Sequence, residues 1–248
     1  MKKYCFLCYS FVLLVGILGF TSCSPSLKVS ISDTGDLSYN FETSVSPVIE
    51  ETVRSFTGLD KSMGLFNGAE IEKSLKNAGL AEIVVKTPTA TSLSVSATVD
   101  FDQATPLHNL KELDLLPQVS GALSLGESAG TKELRLTVSP EIMQKILTLI
   151  PSETAEYAEL LSAPVFTGEQ LSASEYVDLI AAVYGSTAAN QLQEANISVQ
   201  VTAPSEIRGA SISNGEGAVQ YRGKTAEFSL PLSELLTYLD KIVFCVQY

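Results

Sequence analysis

From Ser92 to Phe101 the chain alternates without a break. Leu93, Val95, Ala97, Val99 and Phe101 fall on one side, and Ser94, Ser96, Thr98 and Asp100 on the other. A period of two is the signature of an extended strand. A strand that is apolar on one face only belongs to an antiparallel sheet with a solvated side, because strands of parallel sheets are buried on both faces and read as continuous apolar runs. The pattern recurs along the chain. Leu27, Val29 and Ile31, then Leu37, Tyr39 and Phe41, flank Asp33-Thr34-Gly35-Asp36 and predict a hairpin. Gly121 to Leu125 and Lys132 to Val138 predict another, around Ser128-Ala129-Gly130. Further strands are expected over 196–203, 207–213, 218–221, 225–230 and 242–248.

Helices interrupt this pattern at recognisable signals. Ser46-Pro47 opens one that Gly58 should end, with Val48, Ile49, Val53 and Phe56 on its apolar stripe. A second runs from Ala69 to Ala78, stopped by Gly79. Ser139-Pro140 starts a third, which Pro151 breaks and Ser152 restarts. Ser172-Ala173-Ser174-Glu175 has capping-box spacing ahead of a helix ended by Gly185, and a short polar helix follows to Ala195. Pro231 opens a last helical turn. The fold class expected is α+β: a single domain over residues 27–248, with an antiparallel sheet of hairpins and a helical insertion, 139–195, packed on one face.

Ahead of this domain lies a segment of another kind. Lys2 and Lys3 precede an uncharged apolar run from Cys5 to Phe20, and Thr21-Ser22 leads into Cys23. A positive start, an apolar middle and a small-residue cleavage site make a secretory signal peptide, residues 1–22. Phe20-Thr21-Ser22-Cys23 resembles the lipobox of bacterial lipoprotein precursors, in the permissive spirochaetal form that accepts phenylalanine where leucine is usual. That resemblance implies a diacylglycerol on the Cys23 thiol, cleavage before Cys23, and acylation, as with palmitate, of the new amino group. It places residues 23–26 as anchor and tether, and the domain in the cell envelope, on the periplasmic or outer-membrane face. The alternative is an uncleaved membrane helix over Tyr4 to Cys23, about 20 uncharged residues and just long enough to cross. The first hairpin, Leu27 to Phe41 with its central Gly35, weakly resembles the start of mycobacterial LppM-like lipoproteins, and no activity follows from it.

Charge narrows the partners. Losing Lys2 and Lys3 with the signal takes the formal net charge from −12 to −14. Such a chain is unsuited to nucleic acid, whose binding rests on phosphate neutralisation, and to anionic headgroups. From Ile146 to Ile207 there is no lysine or arginine, against eight acids. Among them Glu153, Glu156 and Glu159 recur every third residue, along one face of the expected helix. They are the candidate docking face for a basic envelope protein or for weakly held divalent cations, set against the plainer reading of a solvated face.

Catalytic signals are sparse. His108 is the single histidine and has no Gly-x-Ser-x-Gly elbow to accompany it. Arg222-Gly223-Lys224-Thr225 mimics the end of a phosphate loop, but Ala218 stands where that loop needs glycine, and a hairpin turn is expected instead. Cys5-x-x-Cys8 lies in the targeting segment. With Cys23 acylated, Cys245 is left alone in Ile242-Val243-Phe244-Cys245-Val246, where a buried packing role is expected. No catalytic residue, metal ligand or cofactor is assigned. The function expected is a non-enzymatic binding or docking module on an envelope anchor; the alternative is a carrier of lipid or another apolar ligand between sheet and helices.

Overall fold

Residues 23–33, 36–58, 60–77, 82–99, 112–114, 123–128, 130–142 and 164–248 are described by the structure, a computed structural model. Their strands form two sheets. The larger runs, edge to edge, β10 (Ala218–Arg222), β11 (Thr225–Pro231), β8 (Asn196–Thr202), β1 (Cys23–Ile31), β2 (Leu37–Ser44), β4 (Ser92–Val99) and β3 (Glu82–Lys86). The smaller runs β5 (Glu112–Asp114), β6 (Leu123–Ser128), β7 (Thr131–Val138), β12 (Ile242–Gln247) and β9 (Gly209–Ser213). The helices are α1 (Pro47–Thr57), α2 (Gly68–Asn77), α3 (Pro164–Thr167), α4 (Ala173–Tyr184), α5 (Ser186–Glu194) and α6 (Leu232–Thr237).

The α+β class is as expected, and the pairings are antiparallel save one: β1 lies parallel to β8, with Leu27 opposite Val199 and Val29 opposite Val201. Register carries the alternation straight across the larger sheet. One row reads Phe228, Val199, Leu27, Phe41, Val95, Val85. The next residue on each strand gives Glu227, Gln200, Lys28, Asn40, Ser96, Val84 on the opposite face. Phe228 and Val199 of the first row are buried and the rest half-buried, and a slip of one residue would exchange the two faces, so this row fixes the register.

One continuous core takes in both sheets and the helices. Phe228 and Phe244 meet edge to face across the sheets, 5.5 Å between ring centres. Leu37, Ile71, Leu192, Ala226 and Leu230 have 0% exposure. No water-sized void adjoins side chains with no accessible surface, and burying each large one contributes about 1.5–3 kcal/mol.

Several helix ends gather at one end of the larger sheet. Cys23 pairs with Ser44 at the close of β2, and α1 begins three residues later at Pro47. The parallel β8 starts on the same side, immediately after the Ala195 cap of α5. Pro231, opposite Asn196, ends β11 there, and the Leu232 N–H of α6 donates to the Ala195 carbonyl at 2.9 Å. The Ser46 hydroxyl donates to Gln191 Oε1 at 2.9 Å, tying the start of α1 to α5. Helix α4 packs on α5 and on α6.

Helix α4 keeps its sequence signals in full. Glu175 N–H donates to Ser172 Oγ, and Ser172 N–H donates to Glu175 Oε2 at 2.8 Å, which closes the capping box. Gly185, at φ 90°, ends the helix in a conformation that side chains other than glycine rarely adopt.

Candidate functional site

Cys23 is the first residue of β1, in a central strand of the larger sheet. Its backbone therefore enters the fold with no intervening linker. Glu153, Glu156, Glu159 and His108 lie outside the described residues. So do the signal segment, the expected helix from Ser152 and most of the one from Pro140. Of the other acids in the base-free stretch, Glu169, Glu175, Asp178, Glu194 and Glu206 are all exposed. Glu175 is committed to its cap: the Ser172 hydroxyl and backbone hold its carboxyl below the usual range.

Cys245 is not the buried hydrophobe expected from its apolar neighbours. Strand β12 alternates, sending Ile242, Phe244 and Val246 to the core and Cys245, half-buried, to the other face beside Arg135 and Ser211. There the Glu133 carboxylate accepts from Gln247 Nε2 at 2.8 Å and from Arg135 Nε. Burial first, and then the Glu133 charge, push the Cys245 thiol up to about 11. It stays protonated at neutral pH, a poor nucleophile and a poor metal ligand. The Gln247 bond is the main cause that holds Glu133 below the usual carboxylate range.

The phosphate-loop mimic is a hairpin turn, as expected: Arg222 pairs with Thr225, and Gly223 takes φ 58° between β10 and β11. Among the described residues no group of three or more histidine, cysteine or acidic side chains could hold a metal. No described helix is long and apolar enough to cross a membrane.

A feature the sequence did not signal is an open groove of about 410 Å³ between Gln170-Leu171-Ser172, ahead of α4, and Thr237-Tyr238-Leu239-Asp240, behind α6. Two of the three hydroxyl-bearing residues in its wall, Ser172 and Thr237, spend their hydroxyls within the fold. Ser172 donates to Glu175, and Thr237 Oγ1 donates to the Ser233 carbonyl at 2.9 Å. The sequence also missed that α4 leaves Leu179 and Val183 in solvent, 45% and 60% exposed. Their spacing of four was the readable signal.

No protein-family model matches the chain, and no curated protein matches it. Among solved structures it is similar to the folded domain of LppM from Mycobacterium tuberculosis, at 10% identity and a TM-score of 0.39, covering 92% of this chain and 91% of that one. A similarity of that degree fixes neither activity nor ligand.

Proposed function

We propose that the chain is an envelope lipoprotein, held in a membrane by acyl groups on Cys23, whose α+β domain is a non-enzymatic docking module. The observation that carries this reading is continuity. A signal segment with a lipobox-like end runs into Cys23, and Cys23 is already the first residue of a central strand. Two or more acyl chains hold a protein stably, each buried methylene contributing about 0.8 kcal/mol. An anchor joined so directly to the sheet sets which end of the domain meets the bilayer.

Docking is favoured over carriage because the buried apolar side chains of the described residues form one continuous cluster that takes in both sheets and the helices. The partner proposed is a basic envelope protein, received on Glu153, Glu156 and Glu159.

Cys23→Ser tests the anchor in cells fed a labelled fatty acid. Wild type should take up label and lose Met1 to Ser22, and the variant should do neither. Wild-type protein that keeps residues 1–22 and carries no label would return the segment to a membrane-spanning helix.

A further inference from the structure

Helix α4 is apolar on nearly every side. From Tyr176 to Tyr184 its one charged residue is Asp178. Tyr176 and Ile180 are buried against the core, with Val177, Ala181 and Tyr184 packed beside them. The other side carries Leu179 and Val183, four residues apart, with exposed Ala182 between them. A helix with apolar residues on both sides calls for a second neighbour, and the described structure supplies one side only.

The place of α4 in the fold names that neighbour. Helices α1, α5 and α6 have an end at the Cys23 end of the larger sheet, and α4 packs on α5 and α6. The helices that α4 packs on thus have ends beside the residue proposed to carry the anchor. We propose that Leu179, Ala182 and Val183 rest in the interfacial region of the same bilayer that holds the acyl chains, so that the domain is docked on the membrane as well as tethered to it. This rests on the lipoprotein reading above.

Charge specifies the lipid. The stretch from Ile146 to Ile207 has no lysine or arginine, and α4 and α5 expose Glu175, Asp178 and Glu194. Such a face gains nothing from anionic headgroups, which favour basic segments. The contact is apolar and suits a zwitterionic surface. Two large side chains are too few to hold a free protein there. An anchored one meets the surface at a high effective concentration, which turns a weak contact into a populated state. The strands of the larger sheet then lead away from the bilayer, with the Ile31 end of β1 distal.

The chain has no tryptophan, so a single introduced indole reports alone. Lipidated full-length protein carrying Leu179→Trp, or in a second sample Val183→Trp, is reconstituted in phosphatidylcholine vesicles with and without lipids brominated on the acyl chains. Tyr221→Trp, at a 50% exposed position on the edge strand β10, serves as reference. The expected result is blue-shifted emission and quenching by brominated lipid at both α4 positions, severalfold stronger than at position 221. Adding phosphatidylglycerol should not strengthen it. Protein that floats with the vesicles while neither α4 indole is quenched would overturn the docking and leave the anchor standing. A blue shift without quenching would do the same, and would assign the face to a second copy or another protein. Protein that fails to float would overturn the anchor itself, and the docking with it. Circular dichroism of each variant confirms the fold, and two independent positions guard against one being ill tolerated.

Discussion

Phe228 of β11 meets Phe244 of β12 edge to face, with ring planes 81° apart, and this pair joins the larger sheet to the smaller. Each ring is at most 2% exposed. Truncating either leaves a cavity that a sheet-on-sheet contact cannot close by local collapse. Phe228→Ala should therefore cost about 3–5 kcal/mol in denaturant unfolding. A double-mutant cycle with Phe244→Ala should return a coupling of about 0.5–1.5 kcal/mol beyond lost area. Additive losses would mean that the rings pack independently.

Gly217 is needed for space. A β-carbon there would lie 2.5 Å from Ile212 Cδ1 and 2.9 Å from the Ser229 carbonyl oxygen. The side chain of Ile212 can turn away, but the backbone carbonyl of β11 cannot. Gly217→Ala should destabilise by about 1–3 kcal/mol. Gly130→Ala, which meets nothing within 4 Å but sits at φ 75°, isolates backbone strain as the comparison. Thermal melts of the two variants separate crowding from strain.

Where sequence succeeded, the signal was local. Ser172 with Glu175, Gly185 and the turn at Gly223 each depend on neighbours within a few residues, and each stands where the residues placed it. The parallel pairing of β1 with β8 brings together residues far apart in the chain, and nothing in either strand encodes its partner. Strand β3 escaped because Ile83-Val84-Val85 is too short to show an alternation, although Val84 faces outward, 52% exposed. Cys245 was misread for the related reason that its strand is apolar at both faces. The outward side chains Val243 and Cys245 look like core until Glu133 and Arg135 are seen beside them. Of the candidate site, the sequence names Cys23 as the anchor, and the structure adds that this residue begins β1. The exposed pair on α4 depends on which face the core leaves over.

The thiol of Cys245 gives a pH test. Its raised value, about 11, comes first from burial and then from the Glu133 carboxylate. Alkylation of folded protein should be slow at pH 8 and rise with pH toward an inflection near that value. Glu133→Gln removes the negative charge while Arg135 stays, so the inflection should move down and labelling at pH 8 should quicken. An unchanged profile would leave burial as the whole cause. The same carboxylate has the opposite linkage to stability. Its folded value lies below that of an unfolded glutamate, so its contribution is present above the unfolded value and is lost as pH falls through the folded one. The stability gap between wild type and Glu133→Gln should accordingly narrow on acidification below about pH 4.3.

Arg54 tests how the turn after α1 is held. Its guanidinium is 6% exposed and serves three acceptors. It pairs with Glu50 at 2.8 Å and donates to the carbonyl oxygens of Asp60 at 2.6 Å and Met63 at 2.9 Å. Glu50 lies one helical turn back, while the two carbonyls belong to the chain that leads from Gly58 toward α2. Arg54→Ala would leave two carbonyls without their donor and a carboxylate without its cation, at a cost of about 3 kcal/mol. Arg54→Lys keeps the charge but has one nitrogen where three directions must be met, so it should recover less than half of that loss. Arg54→Met keeps the apolar stem and removes every donor. If the side chain acts mainly by packing, Arg54→Met should match or exceed Arg54→Lys in chemical denaturation. If it acts by holding the turn, Arg54→Met should fall close to Arg54→Ala, and amide exchange at Met63 and Leu65 should quicken in both.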